Sequence, residues 1–297
     1  MRRLAILLSI ASCFHDSAAT LSNESGSGPS DDVLAMLPID SEVVFGVDVA
    51  ALRTTPVWSR FEPRLMREPK QDLDQFVAAC GFDPIATTVR VTGGLKFIEH
   101  GGVSGVIVAR GVPARVLDCA MTQFGKGGDH ATREHGVVVY RGGEQASAWA
   151  MVGTNTLVVQ LDRLASADSV ARVIASGSPL RGSPRFVAMF DRLDHGAQAW
   201  AVVNGNSRLM KDFADGPRPK TVDGTVKVTD RLVVSARIEL AEPNDAAKFQ
   251  ALIAKDLDRA AGFLQVHSAK VAGSTVTLDV AMTSEQIENA LALFGVR

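Results

Sequence analysis

The sequence predicts an α+β fold, an antiparallel sheet with helices packed on one face. Three observations lead there. Stretches with period-two alternation are joined by hairpin-length turns, amphipathic helical stretches separate these pairs, and the plan occurs twice. Antiparallel pairing follows because the connections are too short for a parallel crossover. The chain has 297 residues, 46% of them hydrophobic, enough for a packed core of that size.

Residues 31–177 read as a first α+β repeat and 178–297 as a second, packed with the first; the Gly/Ser/Pro stretch from Ser176 to Pro184 lies at their junction. The repeated unit is strand–helix–hairpin–helix–hairpin–helix. In the first copy, 42–49 is a strand with Val43, Phe45 and Val47 on one face. Helical stretches at 57–66 and 72–80 follow, then strands at 88–97 and 103–110. The spacing predicts a helix over 113–124, opening on Pro113 as first turns allow. Strands at 136–141, 146–152 and 156–161 lead to a helix over 167–175, with Ser166 as N-cap and Gly177 as stop.

The second copy opens with a strand at 198–203 and a helix at 207–214. A hairpin of 225–228 with 232–240 follows, in which Leu232, Val234, Ala236 and Ile238 alternate with Val233, Ser235, Arg237 and Glu239. A helix over 245–261 runs from Asn244 to Gly262, with Phe249, Leu252, Ile253, Leu257 and Ala260 on one face. A second hairpin pairs 264–271 with 275–282. The last helix begins at Thr283-Ser284-Glu285-Gln286, a capping-box spacing, and carries Ile287, Ala290, Leu291 and Phe294.

Residues 1–12 read as a signal peptide. Arg2 and Arg3 are its basic end, and the apolar run Leu4 to Ile10, broken by Ser9, is too short to span a bilayer. Ile10-Ala11-Ser12-Cys13 resembles the lipobox of bacterial lipoproteins. The resemblance implies cleavage before Cys13, lipidation of its thiol and a membrane anchor at that residue. The alternative is cleavage near Ser17-Ala18-Ala19, which would leave a soluble periplasmic or secreted protein. Residues 13–30 are small and polar and form a flexible tether of roughly 20–25 Å. Cys80 and Cys119 then remain as an even pair in an oxidising compartment, which predicts a disulfide; the alternative is two separate buried thiols.

Leu37-Pro38-Ile39-Asp40-Ser41, Val47-Asp48-Val49-Ala50-Ala51-Leu52 and Pro56-Val57-Trp58 resemble the opening of a group of exported bacterial proteins. Cys80-Gly81-Phe82-Asp83-Pro84 and Leu117-Asp118-Cys119 are similar to that group too. The resemblance implies export and a paired cysteine, and it carries no activity.

Templates for catalysis fail on spacing. Gly102-Val103-Ser104-Gly105-Val106 has Val where a nucleophile elbow needs Gly. His130-Ala131-Thr132-Arg133-Glu134-His135 fits neither zincin spacing and reads as a surface loop. Ser207 and Lys211 are one residue too far apart for a Ser-x-x-Lys pair. Asp40, Asp48 and Asp83 read as turn and strand-end residues. No phosphate-cradling glycine motif occurs, and a net charge of −2 gives no basic footprint, so nucleotide and nucleic acid are excluded as partners. No cofactor or metal is expected.

The expectation is a non-catalytic envelope lipoprotein, held on the membrane at Cys13 and facing the periplasm or cell surface. It acts as a binding or scaffold module for a protein partner. The alternatives are a carrier of an apolar ligand or lipid, and an exported hydrolase whose residues form no recognisable motif.

Overall fold

The computed structural model of the protein describes residues 33–65, 70–98, 102–124, 130–142, 145–176, 180–208, 210 and 216–293. The expected signal peptide and tether, with Cys13, lie outside these residues. In chain order the elements are β1 (Val43–Asp48), α1 (Val49–Arg53), α2 (Pro56–Leu65), α3 (Lys70–Cys80), α4 (Pro84–Thr87), β2 (Arg90–Phe97) and β3 (Val103–Arg110). There follow α5 (Val116–Phe124), β4 (His130–Glu134), β5 (Val137–Gly142), β6 (Gln145–Val152), β7 (Thr156–Leu161), α6 (Ala167–Ala175) and α7 (Pro184–Phe190). The last are β8 (Ala199–Asn204), β9 (Thr221–Val228), β10 (Arg231–Glu239), α8 (Pro243–Ala260), β11 (Val266–Ala272), β12 (Thr275–Thr283) and α9 (Ser284–Leu293).

The chain forms an α+β fold in two compact units. Among the described residues, the first unit holds 33–50 and 70–188, and the second 51–65 and 189–293. This division differs from the boundary expected at 177/178. It falls after residue 188, and the early segment 51–65 belongs with the later half. The reason is the packing of α2, whose Val57 and Phe61 bury against Val228 of β9, beside Ile287 and Leu291 of α9.

The first unit's strands run in the order β1-β2-β3-β7-β6-β5-β4, and every neighbouring pair is antiparallel. The second unit's run β8-β9-β10-β12-β11, again antiparallel. Each unit is thus a three-strand meander, a helix (α5 or α8), and a return that seats its last strand beside the third of the meander. Each return is followed by a helix, α6 or α9. The duplication is one of topology, with one hairpin more in the first unit than in the second.

In the second unit the described helices α2, α8 and α9 share one side of the strands. Val276, Leu278 and Val280 are buried there, paired with Ile238, Ala236 and Val234. In the first unit α5 and α6 take opposite sides. Leu117 and Ala120 of α5 pack with Val138 and Leu157, beside Trp149 and Val159. The alternate strand residues Val139, Ala148 and Val158 are fully buried on the other side, where Ser169 of α6 donates to Gln160 at 2.6 Å. Continuous apolar runs such as Val137-Val138-Val139 supply both faces, as strands covered on two sides require.

Local chemistry sets several helix starts. Ser166 Oγ accepts from Ser169 N, and Ser169 Oγ accepts from Ser166 N, closing a capping box on α6. Thr283 and Gln286 do the same for α9, through bonds of 3.0 and 3.2 Å. Helix α8 starts earlier than the expected cap at Asn244, because Pro243 takes its first position with Glu242 as the cap residue. Helix α5 begins at Val116 and not at 113, and residues 114–115 form a turn.

Candidate binding surfaces

Cys80 closes α3 and Cys119 lies in α5, with Cα atoms 5.3 Å apart, and the two are joined by a disulfide. The bridge ties α3 to α5 above the first unit's core. Phe82, just past Cys80, is buried with Leu117 and Val138, meets Phe76 edge-on at 5.4 Å, and carries the Arg115 guanidinium 5.1 Å over its ring. Cys119 is buried. Cys13, the expected lipidation residue, lies outside the described residues.

The second unit presents a strand face away from α8. Register places Val233, Ser235 and Arg237 of β10 opposite Ala281, Asp279 and Thr277 of β12. Ser235 Oγ donates to Asp279 at 2.9 Å, while Arg237 and Thr277 are exposed. On β9 the same face carries Thr225 and Lys227, paired with Ser235 and Val233. The face mixes hydroxyls, both charge signs and small apolar groups.

Toward β8 this face is closed by the segment after α7. Asp223, 3% exposed, accepts from Nε of Arg192 at 3.2 Å and from a terminal guanidinium nitrogen. The hydrogen bond to Asp223 raises the Arg192 guanidinium above its usual value, against the lowering effect of burial. Next to the pair, the Phe190 ring lies tilted against His195 at 4.6 Å and edge-on to Trp200 at 5.0 Å. Nothing in the spacing of Arg192 and Asp223, 31 positions apart, announces their meeting.

The three aspartates flagged in the sequence are not brought together as paired acids. Asp83 caps α4, accepting from Ile85 N at 2.7 Å and Ala86 N at 3.1 Å. Asp48, at the end of β1, pairs with Arg90 at 2.7 Å, and Asp40 pairs with Lys96 at 2.8 Å. That last pair borders a cleft of about 160 Å³, lined also by Ser41, Ser104, Gln160 and Asp162. Gly105, at φ +149°, lines it too, and a Cβ there would lie 2.1 Å from the Gly94 carbonyl oxygen.

His130 and Glu134 are in strand β4, not in the surface loop expected from the sequence, and His135-Gly136 makes the turn to β5. Ser104 is inside strand β3. Ser207 is fully buried in the turn after β8, and Lys211 lies outside the described residues. Among the described residues no three His, Cys, Asp or Glu side chains are arranged to hold a metal ion. No helix among them is long and apolar enough to cross a membrane.

No family model and no curated protein matches the chain. Solved structures do. The chain superimposes on crystal form III of TP0453 with a TM-score of 0.58 at 14% identity, over 88% of this chain and 98% of that one. For crystal form IV the values are 0.54 and 12%, over 88% and 96%. For crystal form I they are 0.53 and 12%, over 90% and 97%. At that identity the likeness is one of fold, and the α+β architecture described above is shared with TP0453.

Proposed function

We propose that this protein is an exported bacterial envelope lipoprotein, anchored through acyl chains at Cys13 and facing the periplasm or cell surface, whose folded part binds a protein partner and performs no chemistry. The observation that carries the binding reading is the strand face on which Arg237 and Thr277 are exposed and Val233, Ser235 and Asp279 are half-buried. A strand face with hydrogen-bonding groups of both charge signs among small apolar ones suits a protein surface of complementary pattern. A lipid needs an apolar slot of several hundred Å³. The cleft at Asp40 and Lys96 is smaller than that and lined by charges. Export is supported by the Cys80–Cys119 disulfide, a bond that persists in oxidising compartments.

The test has two arms. Membrane fractionation of the wild type against Cys13→Ser reads the anchor, and wild-type protein found free of membranes overturns it. A photo-crosslinking residue at Arg237 or Thr277 in living cells should give one discrete adduct band, absent when the residue replaces exposed Lys248 of α8. Equal labelling from all three positions, or recovery of stoichiometric lipid with the native protein, overturns the binding reading.

A further inference from the structure

Strand β4 ends the first unit's strand order, and four of its five residues, His130, Thr132, Arg133 and Glu134, are exposed. Its hydrogen-bond parity follows from the turn that closes it. His135 and Gly136 both have positive φ, 51° and 83°, the signature of a two-residue type I′ hairpin. The flanking residues Glu134 and Val137 then exchange both backbone bonds, as do Thr132 with Val139 and His130 with Arg141. By alternation, the N–H and C=O groups of Ala131 and Arg133 point away from β5. Among the described residues no strand pairs with that side.

We propose that this edge is a self-association site, where β4 of one copy pairs antiparallel with β4 of a second copy about a twofold axis at Thr132. In this register Ala131 stands opposite Arg133 of the second copy. Both expose their backbone groups outward, so the two equivalent pairs make four hydrogen bonds. His130 stands opposite Glu134 of the second copy, and Glu134 opposite His130, so on both sides of the axis an imidazole, which can donate a ring N–H, meets a carboxylate that can accept it. A shift by one residue sets outward groups against inward ones. A shift that centres the axis on Arg133 keeps the parity but sets like charges face to face. Edge strands are ordinarily protected by charge; here the polar side chains read the same in both copies and set donor against acceptor. Arg133 is held on the opposite face of β4 by Asp118 of α5, leaving His130, Thr132 and Glu134 together on one side. A contact this short falls below the usual stable interface, so the association is weak and transient.

Thr132 faces its own copy across the axis at a non-hydrogen-bonded position, where Cα atoms sit about 4.5 Å apart, inside disulfide range. The full chain carrying Thr132→Cys should therefore form a cross-linked dimer on non-reducing gels, at least fivefold more than Glu134→Cys. Adding Ala131→Pro, which removes an outward N–H and no bond to β5, should abolish the cross-link. Adding His130→Glu should reduce it, and adding His130→Glu with Glu134→Lys should restore it. This charge cycle decides the matter even where the proline variant fails to fold. Equal cross-linking from Thr132→Cys and Glu134→Cys, or no restoration by the charge swap, overturns the proposal.

Discussion

Arg192 grips Asp223 with two guanidinium nitrogens, and the carboxylate it holds is buried on the side of β9 that faces away from α9. A bidentate pair of this kind is directional and strong, but its value lies mostly in what its loss exposes. Arg192→Ala leaves a buried carboxylate without its cation. The expected loss is roughly 2–3 kcal/mol, below the roughly 3–5 kcal/mol of a fully buried broken pair, because the arginine side chain is 34% exposed. Asp223→Asn should cost less, since no uncompensated charge remains buried. Urea unfolding of the two variants checks the order, and equal losses would contradict it.

The disulfide closes a loop with a sequence separation of 39. In the chain-entropy model that constraint stabilises the fold by about 4 kcal/mol. Cys80→Ala with Cys119→Ala should lower the unfolding free energy by a large part of that figure. Maleimide labelling of the denatured, unreduced chain should find no thiol at either position, and two labels there would refute the bridge.

The two sides of β12 should respond differently to truncation. Leu278→Ala removes a fully buried side chain between β10 and α8 and should cost about 2–5 kcal/mol. Thr277→Ala, one residue away on the exposed face, should stay within about 0.5 kcal/mol. Partner cross-linking should show the reverse sensitivity.

Lys96 titrates above an ordinary lysine because its ammonium donates to Asp40, with the attraction of that carboxylate adding to the effect. A raised pKa places its stabilising contribution below the ordinary lysine value and removes it as pH rises through the folded-state value. The wild type should therefore lose melting temperature at alkaline pH more steeply than Asp40→Asn. The two curves should be separate at neutral pH and converge above the lysine range. Parallel curves throughout would exclude the linkage.

What the sequence made legible was local. Ser166 and Thr283 carry their capping partners three residues downstream, so α6 and α9 begin where the spacing predicts. The alternation in β10 identified its buried face, since backbone sterics and burial act there within one strand. Strand β4 escaped because His-Ala-Thr-Arg-Glu has no apolar alternation; it pairs through the backbone to β5 and buries almost nothing. The second helix-bearing face of the first unit was readable only as unbroken apolar runs, a pattern shared with buried helix segments. The Arg192–Asp223 pair and the placement of α2 depend on contacts distant in sequence, which no window along the chain contains.

Helix α2 is made early and completed late. Arg60 reaches Glu288 at 2.6 Å across 228 positions of sequence, and the apolar partners of Val57 and Phe61 lie at Val228, Ile287 and Leu291. A chain synthesised from its N-terminus offers that helix's greasy stripe to its surroundings until nearly the last residue has emerged. Truncations that spare the whole first unit would still strand α2 without its seat. For such products the hazard is aggregation or proteolysis beginning near Phe61, however sound the rest of the early fold.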